Sequence, residues 1–102
     1  MYNVDELLPI IKKRLRVTWE DTVEDENITM MIKAGIKYLD GAAGEPIDYK
    51  KDDIAFELLY VFVLYARSDS VAEFRRAYAP DLLSLSLRYK ANRLKKDIGD
   101  IK

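Results

Sequence analysis

Apolar residues recur along this chain at helical spacing, with glycine and proline set between the runs. Leu7, Leu8, Ile11 and Leu15 share one face of a segment running from Val4 to Leu15. Asn3, with Glu6 three residues on, forms a capping-box-like start. Pro9 fits that helix better if it begins nearer Leu8, because proline is tolerated in a first turn and not in an interior one. The stretch from Arg16 to Val23 has β-branched residues without an evident pairing partner and reads as a loop. Asp21 or Thr22 then caps a second helix, whose first turn holds Glu24, Asp25 and Glu26. Its stripe is Ile28, Met31, Ile32, Ile36 and Leu39. Gly41 and Gly44 end it, and Pro46 prevents resumption.

The third predicted helix, Lys51 to Arg67, carries the longest apolar run of the chain, with Asp48 or Asp52 as its cap. At 100° per residue, Ile54, Leu58, Val61, Phe62 and Tyr65 fall on one side. Phe56, Leu59, Tyr60 and Val63 fall on the other. A surface helix needs one apolar face, so this one is expected to be central and covered twice. One cover is the rest of the chain. The second is either the C-terminal helix or a neighbouring subunit, which makes Phe56, Leu59, Tyr60 and Val63 candidate interface residues. Ser70 and Glu73 suggest a capping box for a short helix through Tyr78, broken at Pro80. From Leu82 to Lys96 the pattern fits both periods. Its length favours a helix; a strand pairing with another chain is the alternative.

This pattern predicts an all-α fold, a small bundle of four to five helices in one domain with a long central apolar helix. A flexible tail is expected from Asp97 onward. A chain of 102 residues leaves a thin margin of stability as a monomer, and oligomerisation is a common remedy. The apolar run around Ile54–Ala66 is shorter than the roughly 20 residues a membrane span needs, so no membrane association is expected. Met1 to Glu6 has neither a basic region nor a long apolar one, so no signal peptide is expected and the setting is intracellular.

Charge narrows the chemistry further. With 17 Lys+Arg against 18 Asp+Glu, there is no global attraction to nucleic acid. The chain has no Cys and no His. The usual zinc ligands, the commonest general base and thiol nucleophiles are therefore missing, and neither an enzymatic role nor a metal or cofactor is expected. The acidic run after Trp19 lacks the Gly and the downstream Glu of a calcium loop, and helix capping is its plainer role. Gly41-Ala42-Ala43-Gly44 is too short for a phosphate loop and reads as a helix end. The clearest local bias is basic: Arg88, Lys90, Arg93, Lys95 and Lys96. It suits a helix C-terminus, or a patch facing DNA phosphates or a partner. The seven Tyr residues suit either an interface or a wet core edge.

The order of these features resembles the small head–tail connector, or adaptor, proteins of long-tailed bacteriophages and prophages. The resemblance rests on the opening helix ending Leu15-Arg16-Val17 and on the acidic loop Trp19-Glu20-Asp21. The helix with Ile28, Ile32 and Ala34 that closes on Tyr38-Leu39 follows, then Gly44-Glu45-Pro46-Ile47-Asp48 and the apolar helix to Arg67. It spans roughly Leu7 to Ser70; the C-terminal third matches no motif. It implies a structural virion protein with no catalytic residues. Such a protein forms a ring, typically dodecameric, beneath the portal protein at the capsid vertex. The ring extends the channel for genomic DNA, which passes without sequence-specific binding, and offers a surface to stopper or tail proteins. The implied location is the head–tail interface of the virion, with the host cytoplasm during assembly. Two alternatives come from other classes: a small helical DNA-binding regulator, resting on the basic run, and a carboxylate–metal enzyme, resting on the acidic loop.

Overall fold

A computed structural model describes residues 4–16 and 22–101, with side chains in the last helix as far as residue 96. Asn3 and residues 17–21, including Trp19 and the Asp21 cap, lie outside the described residues. The fold is all-α, and among the described residues five helices and no strand occur. They are α1 (Val4–Leu15), α2 (Thr22–Ala43), α3 (Asp53–Arg67), α4 (Val71–Ala77) and α5 (Ala79–Ile101). The molecule is elongated, 54 × 28 × 17 Å. Its radius of gyration is 15.1 Å, above the roughly 13 Å of an equant domain this size.

The expected apolar stripes build the core. Leu7 and Ile11 of α1 and Ile28, Ile32, Ile36 and Leu39 of α2 are all buried. The first helix starts at Val4, so Pro9 is interior after all. Pro9 faces solvent while Leu7 and Ile11 are sealed in the core. Burying those two residues is worth more than the one backbone hydrogen bond that proline removes. Arg16 closes α1 at a positive φ of 61°. Glu24 and Asp25 lie in the first turn of α2 and reach across the bundle, to Arg67 at 2.9 Å and to Lys12 at 2.6 Å.

The second helix outruns its expected end at Leu39 and continues through Gly41 to Ala43. Gly44, at φ 79°, is the true stop, and its amide donates to the Asp40 carbonyl at 2.9 Å. Gly35 has a separate role. A methyl there would lie 2.8 Å from both Leu59 and Phe62, so the missing side chain lets α2 and α3 approach closely. The connector after Gly44 is pinned by Asp40, whose carboxylate accepts from the Ile47 amide and the buried Tyr49 hydroxyl at 3.2 and 2.8 Å. Asp52 caps α3 by accepting from the Ala55 amide at 3.0 Å.

The capping box expected at Ser70 and Glu73 does not form. Ser70 is the N-cap residue, but its hydroxyl donates to the Ser68 carbonyl at 3.0 Å instead. An aromatic cluster holds this corner: Phe74 meets Phe62 edge-on at 5.5 Å and stacks on Tyr78 at 5.2 Å. Pro80 sits in the first turn of α5, where it costs little. From there the chain is helical, which decides the ambiguous period between Leu82 and Lys96. The backbone is helical to Ile101. None of the described helices is long and apolar enough to cross a membrane.

Candidate functional site

The candidate interface on α3 is divided by the fold. Leu59 and Val63 are fully buried within the single chain, so they are core residues and not subunit contacts. Leu59 is part of the close α2–α3 approach at Gly35. Phe56 and Tyr60 are half-buried, and α1 covers them in part. The Arg14 guanidinium lies 3.9 Å from the Tyr60 ring centre and 6.0 Å from that of Phe56. The Tyr60 hydroxyl donates to the Arg14 carbonyl at 3.3 Å. The second cover of this face is thus α2 and the end of α1, rather than the C-terminal helix.

The opposite side of α3 is the open one. Ile54 was expected to be covered and is 61% exposed. Between α3 and α5 runs an apolar groove of about 520 Å³, lined by Ile54, Leu58 and Val61 on one wall and Ser84, Leu85 and Arg88 on the other. Glu57 and Asp81 also border it, and Tyr78 lies at its far end.

A polar clamp closes the near end. Asp52 receives Arg88 at 3.0 Å and the Tyr89 hydroxyl at 2.6 Å, in addition to its capping bond. Burial alone would raise the Asp52 carboxyl. The hydrogen bonds from Tyr89, Arg88 and the Ala55 amide, with the Arg88 charge, outweigh it and hold the group below the usual carboxylate range. Burial and the bond to Asp52 push the Tyr89 hydroxyl up to about 12.

The basic segment also divides. Arg88 belongs to the clamp. Arg93 donates to the Ala43 carbonyl and to Glu45, both at 2.7 Å. It therefore satisfies the carbonyl end of α2, where a cation suits the helix dipole. Lys90, Lys95 and Lys96 remain exposed. Alongside them lies a feature the periodicity hid: Leu83, Leu87 and Leu94 are 61%, 56% and 53% exposed. They share one face of α5, turned away from the buried Leu82 and Leu85.

A second, more open depression of about 770 Å³ lies between α2 and α4, floored by Tyr38, Gly41 and Phe62 and bordered by Lys37 and Arg75. Among the described residues no cluster of three or more acidic, His or Cys side chains is placed to hold a metal ion. The chain matches no protein-family model, no characterised protein and no solved structure.

Proposed function

We propose that this protein is a structural assembly subunit, a phage-type head–tail adaptor that docks in a ring beneath a portal protein. There it extends the channel through which genomic DNA passes and presents a surface to stopper or tail proteins. The observation that carries the proposal is the pair of apolar surfaces left open on α5's two sides, the groove against α3 and the leucine stripe. A monomeric protein this small has little reason to leave two such surfaces uncovered. A ring subunit needs two different faces, one for each neighbour. The order of sequence features from Leu7 to Ser70 supports the same reading.

Electron microscopy of the protein mixed with a portal protein from the same genome tests the proposal. Added ring density below the portal is expected; its absence at saturating protein overturns the assignment. The alternative, a helical DNA-binding regulator, has three exposed lysines of α5 in its favour, since Arg88 and Arg93 serve internal contacts. A salt-sensitive shift of duplex DNA at micromolar protein is the result that would favour it.

A further inference from the structure

The two open surfaces of α5 differ in charge as well as position. The groove is bordered by Asp81, and by Glu57, which also meets Arg14. The stripe is basic: Lys90 falls between Leu87 and Leu94 on the same face, and Lys95 follows. A stripe pairing in parallel with its own copy would set Lys90 against Lys90. The groove carries two carboxylates, Glu57 and Asp81, against one cation, Arg88, whose charge Asp52 already meets.

Spacing agrees with charge. Leu87 and Leu94 are two helical turns apart, and so are Ile54 and Val61 along the groove wall. A helix laid along α3 would bring the two pairs into register, with Lys90 near the acidic border. The stripe cannot fill the groove of its own chain, because α5 is one of that groove's walls.

We infer that the leucine–lysine stripe of α5, Leu87-Lys90-Leu94, seats in the α3–α5 groove of a second copy. The inference rests on the reading as an assembly subunit and gives it a geometry. On α5 the groove residues and the stripe lie about 130° apart at the 3.6-residue repeat. Each copy therefore engages two neighbours through different surfaces. Such a head-to-tail contact closes into a ring when the rotation between copies divides a full turn.

The chain has no cysteine, so introduced ones report cleanly. Leu87→Cys and Ile54→Cys each replace an exposed residue and leave the core intact. The two variants are mixed, at millimolar concentration and again on the portal, then oxidised and run without reductant. The mixture is expected to cross-link several-fold more than either variant alone, and the doubly substituted chain is expected to give a ladder of multimers. Adding Lys90→Glu to the Leu87→Cys chain should lower the mixed yield several-fold with an unchanged circular dichroism spectrum. A dominant Leu87→Cys self-link would overturn the inference in favour of stripe-to-stripe pairing. No cross-link in either setting would overturn it too. Ring density on the portal without the mixed link means that only this docking is wrong. The mixed link without portal density means that the copies assemble but the adaptor role fails.

Discussion

Helices α3 and α5 are both rich in large apolar side chains, yet they spend them in opposite ways. α3 buries Ala55, Leu58, Leu59, Phe62 and Val63 and is held by packing. Among its described side chains α5 buries only Leu82 and Leu85 and leaves Leu83, Leu87 and Leu94 in solvent. What fixes α5 over its second half is polar: Arg88 and Tyr89 on the cap of α3, and Arg93 on the end of α2. The denser apolar sequence of α3 makes a core element, while the sparser leucines of α5 make an interaction surface. The difference lies both in composition and in where the buried partners are.

The strongest way to break this contrast is to charge α3. Val63→Glu should unfold the protein outright, since an unpaired carboxylate in the core costs more than about 4 kcal/mol, a large share of a small domain's stability. Loss of the cooperative thermal transition would show it. Tyr60→Glu should be milder, because its site is half-open and Arg14 lies over it. A fold surviving Val63→Glu would mean that α3 is not the packed element described.

Removing the clamp should hurt less. Asp52→Ala takes away a helix cap and leaves Arg88 and Tyr89 without their acceptor, a loss of about 2–3 kcal/mol by urea denaturation. The clamp also predicts two pH limbs. The folded-state carboxyl of Asp52 lies below its unfolded value near 3.8, so its contribution is complete above that pH and is lost as pH falls through the folded value. Tyr89 is raised from 10.0 to about 12, so the folded state binds more protons than the unfolded one in that interval. Its contribution is complete below pH 10 and is lost as pH rises towards 12. Asp52→Asn should flatten the acid limb, and Tyr89→Phe the alkaline one.

Arg93→Gln should cost about 1 kcal/mol, the order of one charge-assisted cap. The smallest effect is expected on the stripe. Leu87→Ser should change monomer stability by less than about 0.5 kcal/mol, because the side chain is already exposed. A larger loss would place Leu87 in the core and erase the contrast with α3.

The first three helices were legible because each carries a clear 3.6-residue pattern, whereas α5, whose pattern fits both periods, was legible from its length. The ends of α2 and the role of Ser70 were not, because those depend on which of several local bonds wins. Gly41 had the same local sequence signal as Gly44, but only Gly44 meets the positive φ of a helix stop. Gly35, flanked by apolar-periodic residues of α2, is a readable sign of close approach. The basic segment misled for a different reason. Arg93 is far in sequence from the carbonyl it caps, and periodicity carries no information about such a partner. On α3, the helical wheel correctly found two apolar faces but could not say which was open. The face expected to await a partner is covered in large part by α1 and α2, and the other opens on the groove.

The connector between α2 and α3 has a consequence for how this chain tolerates change in length. Surface loops ordinarily accept insertions and deletions. This one carries Glu45 and Asp52, the two acids that anchor Arg93 and Arg88 of a single rigid helix. Between them, Tyr49 is tied back to Asp40. One residue more or less would move one anchor by about 3.5 Å relative to the other. The helix cannot stretch to follow, so the loop works as a gauge that sets where α5 points, and its length is as constrained as a core side chain's volume.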